Sequence, residues 1–225
     1  MGDCGEDLPT IVVTGFGLFR NYKSNPSWDC VQRLRLKGVN LIVEEIPVAY
    51  DEVDKRVALI WSRYKPFLVI HCGVSCLAKC ITLETRALRH HTLYDKPDIY
   101  GRLPDGTQTA ATNQLNCYQS LEPNDSFDCI ESGINLKEVC DRVNQHFHNG
   151  FIPMPAVLSS NAGRYLCEYI FCSSLMENKQ RTAFIHVPEV GDNCFLEDIA
   201  ISLEFTIQTI VNEVLDSNKQ SSNDM

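Results

Sequence analysis

Residues 10–73 read TIVVTGFGLFRNYKSNPSWDCVQRLRLKGVNLIVEEIPVAYDEVDKRVALIWSRYKPFLVIHCG, and they decide the fold. Residues 10–14 are rich in β-branched side chains and lie between Pro9 and Gly15, which predicts a buried strand. Asn25 or Ser27 can open a helix through Leu36, with Trp28, Val31 and Leu34 on its inner face. Residues 41–48 predict a second strand. Residues 50–64 predict an amphipathic helix with Val53, Val57, Ile60 and Trp61 inward, and residues 67–73 a third strand. Strands that alternate with helices in this way pair mostly in parallel, each helix serving as a crossover. The expectation is therefore an α/β fold around a central, mostly parallel sheet. The loop GFGLFRNYKSNPSW places Phe16 and Phe19 at the carboxyl end of the first strand, where such folds hold their sites. Gly15 and Gly17 do not complete a dinucleotide fingerprint: the third glycine is missing, and an aromatic ring stands where phosphate needs a close backbone approach.

Downstream, alternation across Ile81 and Leu83 predicts a short strand carrying Glu84. Residues 90–133 turn polar and irregular, with Pro97, Pro104 and Pro123, and are read as an insert. Residues 134–148 resume helical periodicity through Leu136, Val139, Val143 and Phe147, and residues 196–215 predict a final helix. The tail 216–225, DSNKQSSNDM, is expected to be disordered, leaving one domain over 1–215.

The totals narrow the function classes. At 225 residues with 44% hydrophobic content, the chain can bury the core of one domain. The formal net charge is -9, from 20 basic and 29 acidic residues, and no Lys/Arg cluster interleaves with aromatics. Nucleic acid and anionic membrane are therefore poor partners. MGDCGEDLP has no secretory apolar core, no apolar run approaches the roughly 20 residues of a bilayer span, and Glu6 stands where myristoylation wants Ser or Thr. A cytosolic protein is expected. The 11 cysteines are odd in number and lack framework spacing, so free thiols are expected. Cys72, Cys76 and Cys80 recur without the further ligands a closed zinc site needs, and no metal is expected.

Residues 156–187, AVLSSNAGRYLCEYIFCSSLMENKQRTAFIHV, carry the candidate chemistry. An apolar run at 156–158 meets a small polar turn, and residues 164–177 then read as a helix with its apolar side chains on one broad face. That reading places Cys167 in a first helical turn, where unpaired N–H groups and the helix dipole favour a thiolate. Residues 182–187 form a strand ended by Pro188, and a strand-end His186 can sit over the start of that helix as the thiol's base. Glu84 can orient the base. Each has a plainer reading. A cysteine in a cysteine-rich chain is more often structural, a histidine between Ile185 and Val187 can be a satisfied strand residue, and a lone glutamate is usually solvated. Cys172, beside Phe171 and Leu175, reads as core.

The segments VVTGFGLFRNYKSNPSW (12–28), ITLE (81–84), SSNAGRYLCEY and AFIHVP, together with EEIPVAYDEV and LVIHCGVS, resemble the pyroglutamyl-peptidase I family of cysteine peptidases, animal type, across most of 11–187. The resemblance implies a three-layer α/β/α sandwich with a mixed, mostly parallel central sheet, and a cytosolic exopeptidase that removes N-terminal pyroglutamate from peptides without a cofactor. It implies Cys167 as nucleophile, His186 as base and Glu84 as orienting acid, with Phe16, Phe19, Val48 and Val74 lining the pyroglutamyl pocket. It also implies a monomer. A neutral lactam suits flat apolar walls plus a few hydrogen bonds, whereas an ordinary N-terminus needs a carboxylate, and the 15–28 loop offers none. Val74, Leu18, Arg20 and Glu168 depart from the family's usual residues, and residues 90–133 match it poorly. Two alternatives remain open at this point: a catalytically silent binding relative, and a thiol-dependent amidase acting on another small amide.

Overall fold

The computed structural model describes residues 8–19, 23–88, 94, 96–104 and 129–223. The insert expected at 90–133 lies largely outside them. Among the described residues eight strands are formed: β1 (Thr10–Phe16), β2 (Asn40–Ile46), β3 (Leu68–Ser75), β4 (Ile81–Glu84), β5 (Arg86–Leu88), β6 (Cys129–Glu131), β7 (Ala156–Ser159) and β8 (Thr182–Pro188). The helices are α1 (Pro26–Val31), α2 (Tyr50–Leu59), α3 (Leu136–His148), α4 (Leu166–Asn178) and α5 (Leu196–Asn223).

Six strands make one sheet in the order β2-β1-β3-β8-β4-β7. All neighbours run parallel except β4 and β8, which are antiparallel. β1, β3 and β8 are apolar on both sides because both sheet faces are covered. Against one face pack α1, α3 and α5, through Val31, Val139, Val143, Leu203 and Ile210; against the other pack α2 and α4, through Val53, Tyr169, Ile170 and Phe171. This is the three-layer sandwich with a mixed, mostly parallel sheet that the family resemblance implied.

Several boundaries differ from the sequence reading. Helix α1 opens at Pro26, capped by the Asn25 side chain, which accepts from the Ser27 N–H at 3.1 Å. It stops at Val31 rather than Leu36, because the chain tightens into shorter-range bonds from Arg33 to Cys30 and from Leu34 to Val31. Leu34 still reaches the core. Helix α2 widens into a π-helical turn, Ile60–Tyr64, and ends at Lys65 in the left-handed region (φ 45°). Helix α4 is not apolar on one face only. It is buried nearly all round, by Tyr169, Ile170, Phe171, Cys172 and Leu175, since it lies between the sheet and α2. The expected disordered tail from 216 is instead helix as far as Asn223. No Gly or Pro interrupts it, and Asn218 Nδ2 donates back to the Val214 carbonyl at 2.8 Å.

Candidate active site

The site follows from strand register. β1, β3 and β8 are adjacent and parallel, so their carboxyl ends lie side by side, and Gly73 of β3 stands opposite His186 of β8. Phe16 ends β1 beside them. Because β4 runs the other way along β8, Thr82 pairs with His186 and Glu84 with Phe184. Thr82 and Glu84 are two residues apart and share a face, which puts the Glu84 carboxylate against the imidazole one row down. The His186 Nδ1–H donates to Glu84 Oε1 at 2.8 Å, leaving Nε2 for the Cys167 side of the site, whose charge acts on the ring.

Cys167 arrives from the helical layer. It is the second residue of α4, whose N-cap, Tyr165, is extended and caps no N–H with its side chain. The first-turn amides are thus left to other partners. The sulfur descends onto Gly73: a Cβ at that position would lie 2.7 Å from Sγ and 2.9 Å from Phe184 Cζ. Gly73 is therefore a site residue that the sequence reading used only as a strand end, although a glycine inside a buried strand signals close approach. Gly73→Ala is expected to leave the fold intact while displacing the sulfur, lowering kcat by about 10- to 100-fold. Circular dichroism with initial-rate kinetics checks it.

Burial is the largest influence on the His186 ring and acts to lower its pKa, but the Cys167 charge and the Glu84 carboxylate outweigh it and raise the value to about 9. His71 is the control within the same fold. It is wholly buried, held by Thr14 Oγ1 at 2.8 Å, and with no charged partner burial lowers it to about 3, so it stays neutral. The second Glu84 oxygen, Oε2, is buried without a hydrogen bond among the described residues. Glu168, next to the cysteine, is also buried. It accepts from the Leu88 N–H at 3.1 Å and pairs with Arg164 at 3.2 Å, fastening β5 and the pre-helix turn to α4. Burial raises its pKa, opposed by Leu88 and Arg164 and reinforced by nearby Glu84. Cys172 is fully buried in the core of that face.

A cleft opens beside Cys167, lined by Phe16, Phe19, Val48, Val74, Tyr165, Leu166 and Asn25. All four residues expected to line a pocket are thus gathered around one opening. Asn25 and Tyr165 were not foreseen there: Asn25 reads from sequence as a helix cap, and it serves as one. Its side chain also donates to the Gly17 carbonyl at 2.9 Å and accepts from Ser27 Oγ at 2.9 Å, while Ser27 Oγ accepts from the Phe16 N–H, so the loop behind Phe16 is pinned to α1. Tyr165 stacks edge-on against Tyr50 and donates its hydroxyl to the Pro97 carbonyl. No lining residue of this cleft among those described carries a formal charge. Among the described residues, no group of side chains is arranged to hold a metal ion, and no helix is long and apolar enough to cross a membrane.

A thiol over Gly73 and a carboxylate-paired imidazole at the adjoining strand supply the groups that nucleophilic cysteine chemistry requires. Sequence comparison narrows the class. The family model for pyroglutamyl peptidase matches residues 9–219, and the chain belongs to that family. It is 34% identical to human pyroglutamyl-peptidase 1 over 215 residues, covering 94% of this chain and 92% of the human one. It is 33% identical to the mouse pyroglutamyl-peptidase 1 over 219 residues, covering 96% and 94%. The crystal structure of pyroglutamyl peptidase I from Bacillus amyloliquefaciens superposes with a TM-score of 0.72 at 19% identity, over 92% of this chain and 98% of that one, and supports the fold.

Proposed function

We propose that this chain hydrolyses the amide bond after an N-terminal pyroglutamyl residue of peptides, with Cys167 as nucleophile, His186 as acid and base, and Glu84 as the group that orients the histidine. One observation carries the substrate reading: the cleft that opens onto Cys167 is apolar and aromatic, with Asn25 as its amide and no charged side chain among the described residues of its wall. A pyroglutamyl ring is a flat, neutral lactam and fits such walls. A free N-terminus would bring an uncompensated ammonium into the same space.

In this mechanism the Cys167 thiolate attacks the pyroglutamyl carbonyl carbon, forming a C–S bond. Backbone N–H groups of the uncapped α4 start receive the resulting oxyanion. His186, an imidazolium through its pairing, gives its proton to the leaving amine as the C–N bond breaks. It then takes a proton from water as hydroxide attacks the thioester, and Cys167 leaves as thiolate with free pyroglutamate. Glu84 holds Nδ1–H throughout and keeps Nε2 turned to the sulfur. A silent binding relative has no use for this alignment, so catalysis is the better reading. We also read the protein as a monomer, and as acting in the cytosol, the latter supported by free thiols at every described cysteine.

The test is a panel of pyroglutamyl, prolyl and glutaminyl anilides. Pyroglutamyl anilide is expected to be cleaved with a kcat/KM at least about 10³-fold above the other two, since both of those bring a charged amine. Comparable rates on prolyl or glutaminyl anilide would favour a general thiol amidase instead.

A further inference from the structure

The cleft does not end at the lactam pocket. Phe19, Asn25 and Val74 line a second depression as well, whose other walls are Ser24, Pro26, Glu189 and Val190. Two cavities with three walls in common form one groove. Its direction follows from the sheet: Phe16 ends β1, Cys167 lies over Gly73 of β3, and His186 belongs to β8 on the far side of β3. A substrate with its ring near Phe16 and its carbonyl at Cys167 therefore has its leaving amine toward β8, where His186 must protonate it. Beyond His186 and Pro188, β8 delivers Glu189 and Val190 into the second depression.

We infer that this second depression is the subsite for the residue following pyroglutamate, and that Glu189 makes it favour a basic side chain over an acidic one. The inference rests on the pyroglutamyl reading given above. Pro26 and Val190 provide apolar walls for the stem of a lysine or arginine, with the Glu189 carboxylate available to its charged end. Val190 is 50% exposed and Glu189 is exposed, so both face an arriving peptide. No ion pair among the described residues involves Glu189. The chain's formal net charge of -9 acts in the same direction on approach.

The test uses three peptides that differ only after pyroglutamate, bearing Arg, Leu or Asp there, each rate normalised to that of pyroglutamyl anilide. An exposed carboxylate supports only modest discrimination, so kcat/KM for the Arg peptide is expected about two- to five-fold above Leu, with Asp below Leu by a similar factor. The preference should shrink as NaCl rises to 0.5 M, because the Debye length falls from about 10 Å at 0.1 M toward the roughly 3 Å reached at 1 M. Glu189→Gln is expected to level the series, and Glu189→Lys to invert it. An Arg-to-Asp ratio unchanged in Glu189→Lys, with anilide hydrolysis retained, would overturn this proposal alone. Failure of the unaltered chain to cleave the anilide would overturn the pyroglutamyl reading and this inference with it.

Discussion

Cys167→Ala is expected to reduce pyroglutamyl anilide hydrolysis by about 10⁵-fold or more, to the level left by binding and oxyanion contacts alone. The reason is positional. Among the described cysteines, Cys167 is the one on the wall of the cleft, and it is the one whose charge acts on His186. Cys172 is on the same helix but in its middle, away from the open first turn, and it is fully buried among the apolar side chains of that face. Cys172→Ala is therefore expected to affect stability, by roughly 1 kcal/mol, and to leave turnover largely intact. Alkylation by iodoacetamide should follow the same division, with activity lost in step with label at Cys167. Full activity in Cys167→Ala would reject the assignment.

His186→Asn is expected to cost about 10⁴-fold in kcat, because thiolate pairing and proton delivery to the leaving amine are lost together. Glu84→Gln alone should cost about 10³- to 10⁴-fold, since an amide there no longer holds Nδ1–H against a full negative charge and allows the wrong tautomer. The double variant should be scarcely worse than His186→Asn, as expected of groups that act as one unit. The pH profile of the unaltered chain carries a signature of the same pairing. The imidazolium is present below its raised pKa and lost above it, so kcat/KM should hold through neutral pH and fall as pH rises through about 9. In Glu84→Gln that limb should move to lower pH, because a negative partner has been removed. An unmoved limb would mean that Glu84 does not face the ring in solution.

Much of this architecture was legible because local patterns and the global fold agree. The β-branched run of β1, the apolar runs of β3 and β8, and the periodicity of α2 and α3 each point to the element that forms. What was not legible is what depends on distant partners. Nothing local to ITLE says that β4 inserts between β8 and β7 and opposes the direction of β8, yet that placement is what brings Glu84 to His186. The same limit hid the pairing of β5 with β6, which are far apart in sequence. The all-round burial of α4, by contrast, was legible and missed: its apolar side chains are spread around the helix rather than gathered on one face. The tail misled for a different reason: a polar composition argues against a core, but it does not stop a helix already propagating from α5. In the site, the thiol, imidazole and carboxylate were reached through motif resemblance. Gly73 and the wall position of Asn25 emerge from packing, because each has an ordinary local explanation that conceals a second role.

The antiparallel placement of β4 also has a consequence for folding. Glu84 and His186 are 102 residues apart in sequence, and the hydrogen bond between them exists only when the β4–β8 register is correct. Closing a loop of that length costs roughly 4 kcal/mol in chain entropy, and this is not repaid until the central strands have paired. A slip of one residue would turn Glu84 to the opposite side of the sheet and bring Leu83 to the imidazole. Helical signal can therefore return early in refolding, while catalytic competence arrives only with the completed sheet. For this protein, recovery of activity is a measure of correct long-range strand pairing.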